Sequence, residues 1–177
     1  MFTYQSFVYN LLVKTAMKKL IVLSIMLLLG ASLHAQNIPV YESFDQYQPL
    51  LEKNNDTTYV INYWATYCAP CIEEMQVFRK LEQEYSNKPV KIILTSLDFG
   101  SNAKERVRSF ISKHQVRSKV VILDDPRSNA WINKVSTKWS GALPGTLVYN
   151  QNSRSFYEKT FNYQELKNII ESKMNKP

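Results

Sequence analysis

Cysteine is almost absent from this chain. Among 177 residues there are two, Cys68 and Cys71, three positions apart. A pair so close can tie off only a tiny loop, so the sequence holds no framework of structural disulfides. Histidine is as scarce. Of His34 and His114, only the second lies in the body of the chain, too few ligands to complete the roughly four-coordinate shell of a zinc site. Charge of one sign is not in marked excess either. The formal net charge is +7, and beyond Ala35 all 15 acidic residues face 19 Lys plus Arg, which leaves 19 − 15 = +4. So mild a balance describes a solvated surface rather than a nucleic-acid footprint. Repeats and low-complexity segments are missing, and no boundary marks a second domain.

The largely apolar run Leu20 to Leu29 is short for a membrane span. Lys14, Lys18 and Lys19 precede it, and Gly30, Ala31 and an Ala35-Gln36 junction follow. These are the basic, apolar and small-residue regions of a secretory signal peptide. Residues 1–35 are expected to be that leader, with Met17 of Met-Lys-Lys as its natural start; the alternative is an uncleaved N-terminal anchor. No cysteine follows the apolar run at a cleavage position, so lipid attachment is not expected and the product should be soluble. Cleavage after Ala35 leaves 177 − 35 = 142 residues, 36–177, a single domain able to bury about two thirds of its unfolded surface. A protein exported to an oxidising compartment with both cysteines in one motif uses them for chemistry.

What the sequence does contain is concentrated in Tyr63-Trp64-Ala65-Thr66-Tyr67-Cys68-Ala69-Pro70-Cys71. Thr58 to Trp64, running into it, are mostly β-branched or aromatic and read as a strand buried on both faces; those from Cys71 to Tyr85 read as an amphipathic helix. Cys68 then sits at a helix N-terminus. Unpaired N–H groups and the helix dipole there favour thiolate, and Cys-x-x-Cys centres so placed have thiol pKa values of roughly 3.5 to 7.5. Pro70 suits a first helical turn. Cys68, first in the motif, is the expected nucleophile and Cys71, one turn inside, the resolving thiol.

On the same helix Glu74 shares a face with Cys71, Phe78, Leu81 and Tyr85, whereas Glu73 joins Lys80 and Glu84 on a polar one. A carboxyl held among apolar groups has a raised pKa and could pass the proton of Cys71, so Glu74 is the candidate acid and base. A glutamate serving only the helix dipole is the competing reading, and Glu82 near the apolar edge shows that the face is not clean. Trp64 and Tyr67 flank the pair and could form an apolar collar for substrate, although Trp64 could equally be core. Asn62 could bond near the buried thiol or be a satisfied core amide, Trp139 reads as packing, and Asp124-Asp125 before Pro126 reads as a turn.

Along the rest of the chain, Ser43 to Lys53 has helical spacing, with Ser43-x-x-Gln46 as a capping box and Pro49 as a disturbance. Strands are predicted over Val90–Leu97 and Val120–Leu123, and helices over Ala103–His114, Asn129–Val135 and Tyr163–Met174. A hairpin is predicted from Thr146–Tyr149 and Ser155–Lys159 across Asn150 to Arg154. Strands alternating with helices, then a hairpin and a helix, give an α/β fold with a mixed sheet.

With Trp-Ala-x-x-Cys-x-Pro-Cys, Glu74 and Gly141-Ala-Leu-Pro144-Gly-Thr146 on the page, the chain resembles the thioredoxin superfamily, and within it the TlpA/ResA-like extracytoplasmic thiol-disulfide oxidoreductases. The resemblance runs from about Tyr41 to the end. It implies a thioredoxin fold, a central mixed β-sheet flanked by helices on both faces. It also implies that Pro144 is a cis-proline facing the cysteines and that Leu143 offers backbone groups to an extended substrate strand. Two departures stand out: Gln76 occupies a position where relatives often carry a proline, which puts their helix kink in doubt, and Asn62 replaces the buried aspartate of cytoplasmic thioredoxins. The implied activity is periplasmic reduction of disulfides in exported proteins, apocytochromes c among the candidates, with electrons from a membrane thiol donor. Its only redox group would be the Cys68-Cys71 disulfide, with no other cofactor, no metal and no nucleic acid, and a monomer is expected. Ala69-Pro70 between the cysteines supports the reductive direction, because strong oxidants of the DsbA kind carry a histidine there and a long helical insertion. The alternatives are a disulfide oxidase, a copper-binding thioredoxin-like module, for which only Met75 is a nearby extra ligand, and a redox-inactive interaction module.

Overall fold

The computed structural model describes Tyr9, residues 13–19 and residues 37–174. It divides into two units, Met1–Asn37 and Ile38–Pro177. In the first, residues 13–19 are helical and exposed. The apolar run Leu20 to Leu29 and the Ala35-Gln36 junction lie outside the described residues. Among the described residues no helix is long and apolar enough to cross a membrane.

The second unit is built on one six-stranded sheet. Its elements are β1 (Val40–Tyr41), α1 (Phe44–Tyr47) with a 3-10 turn (Gln48–Leu50), β2 (Thr58–Trp64), α2 (Ala69–Glu84), β3 (Val90–Ser96), α3 (Ala103–His114), β4 (Lys119–Leu123), α4 (Ser128–Val135), β5 (Gly145–Asn150), β6 (Ser153–Tyr157) and α5 (Tyr163–Met174). Strand order is β1-β4-β3-β2-β5-β6. The first four strands pair in parallel, whereas β5 runs antiparallel to β2 and β6 antiparallel to β5.

The central strand β2 explains the layering. Side chains alternate across a strand: Val60 and Trp64 enter one core with Cys71, Met75, Phe78 and Leu81 of α2, Val107 and Phe110 of α3, and Leu166 and Ile170 of α5. Ile61 and Tyr63 enter the opposite core with Phe44 and Tyr47 of α1 and Trp131 and Val135 of α4. Helices therefore cover both faces, and both faces of β2 are buried. Asn62, in step with Val60 and Trp64, is turned toward the α2 side.

Two predicted elements differ in extent from the observed ones, and one observed strand was not predicted. The helix expected over Ser43–Lys53 stops at Tyr47 and tightens into the 3-10 turn that carries Pro49. Its capping box does not form: Ser43 makes no side-chain cap, and Gln46 Oε1 accepts from Glu42 N instead. The cap comes from 81 residues away, where Asp125 Oδ2 accepts from Phe44 N at 2.9 Å. The hairpin is tighter than expected, because Asn150 Oδ1 accepts from the N–H of both Asn152 and Ser153 and closes the turn within two residues. The two-residue edge strand β1 was not predicted, being too short to show a period.

Candidate active site

β2 ends at Trp64, and the chain turns through Ala65, Thr66 and Tyr67 into α2. Cys68 is the N-cap, in extended conformation, and its Sγ accepts a hydrogen bond from Cys71 N at 3.3 Å. Pro70 stands in the first turn, where no intrahelical N–H is required. The two sulfurs are bonded at 2.00 Å, with Cα atoms 5.3 Å apart. Cys71 is fully buried and Cys68 half-buried, so an incoming group meets the first sulfur. A thiolate left there on reduction faces the Cys71 N–H and the positive end of a sixteen-residue helix. That helix continues through Gln76 without interruption.

The junction is held by a residue just past the end of the predicted strand Val90–Leu97. Asp98, just beyond β3, is fully buried. Its carboxylate accepts from Thr66 N at 2.9 Å, Thr66 Oγ1 at 2.5 Å and Ser96 Oγ at 2.8 Å, and from Arg106 Nε of α3 at 3.4 Å. Arg106 also donates to Phe99 O at 2.8 Å. One carboxylate thus ties the loop before Cys68 to β3 and α3. The signal available in the sequence was an acid at the carboxyl end of an apolar strand, beside the motif strand in a parallel sheet.

The second wall comes from β5. Its register with β2 pairs Asn62 with Thr146 and Tyr63 with Gly145, which brings Pro144 to the end of β2 from which the cysteine loop departs. The Leu143–Pro144 peptide bond is cis. Leu143 is half-buried and packs on the same core cluster as Cys68, and Pro144 is buried. Gly145 leaves no room for a side chain, since a Cβ there would lie 2.8 Å from Phe156 Cζ and 3.3 Å from the Trp139 ring. Trp139 is packing, its Nε1 donating to Ala142 O at 2.9 Å.

Of the two residues expected to form a collar, one is exposed and one is buried. Tyr67 is 64 % exposed, and with Phe99, 65 % exposed, it lines a groove of ≈ 510 Å³ that Leu97, Trp131 and Ile132 also line. Trp64 is corrected to a core residue. It is fully buried with its ring 4.8 Å from that of Phe110, because strand alternation turns it beneath α2 and α3.

Glu74 is 3 % exposed, one turn beyond Cys71 on α2. Its Oε1 accepts from Phe161 N at 2.6 Å and its Oε2 from Asn62 Nδ2 at 3.3 Å. Burial pushes its pKa up from 4.5 to about 7, against the opposing pull of these two donors. Glu73 on the next face is exposed. Glu82, half-buried and accepting from Ser118 Oγ at 3.0 Å, is also raised by burial, at the other end of the helix. Asn62 bonds Glu74 and Thr146 Oγ1 rather than a thiol. The Phe161 contact is through the main chain, for which side-chain identity gives no signal. Among the described residues no three His, Cys, Asp or Glu side chains converge as a metal site.

A Cys-x-x-Cys disulfide at the N-terminus of a helix, with a cis-proline at the start of the neighbouring strand on a mixed sheet covered on both faces, defines a thioredoxin-superfamily protein. Over residues 45–154, more than half its length, the chain matches the Redoxin family and belongs to it. Its likeness within that family is TlpA/ResA-like. It is 30 % identical over 77 residues to the thioredoxin-like protein YneN of Bacillus subtilis, 44 % of each chain. It is 37 % identical over 59 residues to the thiol-disulfide oxidoreductase ResA of Oceanobacillus iheyensis, 33 % of this chain and 31 % of that one. The matches thus span less than half the length of these curated relatives. A crystal structure of a thioredoxin-related protein from Neisseria meningitidis serogroup B superposes with a TM-score of 0.58 at 20 % identity, over 68 % of this chain and 86 % of the other. At that identity the likeness establishes the fold.

Proposed function

We propose that the protein is an extracytoplasmic thiol-disulfide oxidoreductase that reduces disulfides of exported proteins. The observation that carries this reading is the asymmetry of the pair: Cys68 is half-buried at the helix N-terminus and Cys71 fully buried behind it. In the reduced protein the Cys68 thiolate attacks a client disulfide. One client sulfur leaves as thiolate and the other stays joined to Cys68. Cys71 then gives its proton to Glu74 and attacks Cys68 Sγ, which releases the second client sulfur and closes the Cys68–Cys71 disulfide. Two electrons pass from the protein to the client, and a thiol donor at the membrane returns them. Tyr67, Leu143 and Pro144 line the approach, so selectivity rests on shape and main-chain bonding; oxidised apocytochromes c fit as clients whose cysteines need reduction. The apolar segment after Lys19 supports export, and relatives named thiol-disulfide oxidoreductases support the chemistry.

The test is the Cys68/Cys71 reduction potential, measured by equilibration with glutathione buffers. A value near the thioredoxin end of the roughly 150 mV span of dithiol proteins supports a reductase, and one near the DsbA end makes it an oxidase. The variants Cys68→Ser and Cys71→Ser separate the roles: the first should be inert toward client disulfides, and the second should accumulate a mixed disulfide through Cys68. A Cys68→Ser protein that still reduces clients would remove the proposal.

A further inference from the structure

Every hydrogen-bonding group that faces the Glu74 carboxyl is a donor: Phe161 N–H at Oε1 and the Asn62 amide Nδ2 at Oε2. That suits a carboxylate. A carboxylic acid also needs an acceptor for its own O–H, and with the amide as it stands there is none among the described residues. Asn62 Nδ2 meanwhile donates to Thr146 Oγ1 at 3.1 Å, while its Oδ1, fully buried, has no partner among the described residues. The amide therefore stands between two oxygens, Glu74 Oε2 and Thr146 Oγ1, with its own oxygen turned where nothing donates to it.

We infer that Asn62 is a positioning residue for proton transfer at Glu74, its side-chain amide turning over when the carboxyl gains a proton. The inference rests on the proposed acid-base part of Glu74 and goes beyond it. When Cys71 gives up its proton, the proton bonds to Oε2, the charge leaves the carboxylate for sulfur, and the new O–H needs an acceptor. Half a turn about the last side-chain bond brings Oδ1 there. The terminal amide torsion is broad and nearly two-fold, so both orientations fit one rotamer well. Thr146 follows, since a hydroxyl accepts from Nδ2 in one arrangement and donates to Oδ1 in the other. Each orientation leaves one end of the amide unpaired, so neither is locked and the proton decides between them.

Among the described residues, Phe161 and Asn62 are the hydrogen-bond partners of the Glu74 carboxyl. No charged side chain acts on the titration of Glu74. On the segment that carries Phe161, Glu158 accepts from Ser140 N and Oγ, and Lys159 pairs with Glu165 of α5 at 3.3 Å. Cys68 and Cys71 are bonded and do not titrate in the oxidised protein. Thr146 lies two residues beyond the cis-proline, so the amide also links the protonation of α2 to the strand that carries the Pro144 loop.

The experiment is nuclear Overhauser spectroscopy of the oxidised protein, selectively labelled at asparagine, two pH units either side of the Glu74 midpoint near 7. Above it, the Asn62 Nδ2 protons should show contacts to the Glu74 side chain and to the Thr146 methyl. Below it, those contacts should be lost. In Glu74→Gln, where no proton can be gained, the pattern should be the same at both pH values. Contacts that persist in the wild-type protein on both sides of the midpoint would overturn the inference, and so would a pH-driven change that survives in Glu74→Gln. The reading of Glu74 as proton acceptor is judged separately, by whether Glu74→Gln alters the pH dependence of client release, so the amide can fail while that reading stands.

Discussion

A carboxyl with no opposite charge beside it has only burial and hydrogen bonds to set its titration, and Glu74 is such a group. Two donors favour its ionised form, yet burial outweighs them and leaves the midpoint at about 7. A group balanced near neutrality can both take and return a proton. Glu74→Gln keeps the size of the side chain and removes that capacity, so release of client from Cys68 should slow by ~10²-fold and lose its inflection near pH 7. Single-turnover kinetics from pH 5 to 9 read both effects; an unchanged profile would return Glu74 to a purely structural role. The part of Glu74 was legible in sequence because helical spacing put it on the face of Cys71 and Phe78. Its partners were less so, since Asn62 had two equal readings and the Phe161 N–H has no side-chain signature.

The loop between β2 and α2 owes its shape to another element. Asp98 accepts from both polar groups of Thr66, two residues before Cys68, and from Ser96 and Arg106 as well. Asp98→Asn turns one acceptor oxygen into a donor facing donors. It should lower stability by about 1–3 kcal/mol, by denaturant titration, and slow the reaction of reduced Cys68 with a small disulfide by up to ~10-fold in stopped flow. A stability loss with no change in that rate would separate the loop anchor from the chemistry. Asp125 makes the contrasting case. It caps α1 at Phe44 N and binds Arg127 at 3.0 Å, far along the chain from the cysteines. Asp125→Ala should cost about 1–2 kcal/mol of stability while the thiol reaction rate stays as it was. The difference between the two acids is the limit of reading elements from sequence. Strand β2 and helices α3 and α5 carry their own periodicity and were predicted with their observed bounds. Asp98 and Asp125 act on segments 32 and 81 residues away, and no local pattern announces such a partner. Trp64 was ambiguous for a similar reason, since alternation gives a side chain a face but does not say whether a helix covers that face.

For the molecule as a whole, these two kinds of carboxyl pull stability in opposite directions with pH. Asp125 is held well below the usual carboxylate range, chiefly by its bonds to Arg127 and then by the Phe44 N–H. Its contribution is present above the unfolded midpoint near 4 and is lost as pH falls toward its depressed folded value. Glu74 is raised, so the sign reverses. Its folded midpoint of about 7 lies above the ordinary 4.5; its contribution is complete below 4.5 and is lost as pH rises through 7, at ~1.4 kcal/mol per pH unit between the two. Burying the ionised form therefore costs roughly 3 kcal/mol by neutrality, a large share of the 5–15 kcal/mol that holds a domain folded. The oxidised protein should accordingly be most stable in mild acid, near pH 4 to 5, and lose about 3 kcal/mol by pH 8. Glu74→Gln cannot ionise, so its stability should stay level over the same interval and exceed that of the wild type at pH 8. Guanidinium unfolding of both proteins at pH 5 and pH 8 measures this directly. Parallel slopes would mean that Glu74 is already ionised at pH 5 and does not titrate near neutrality, so it would not hold a proton taken from Cys71.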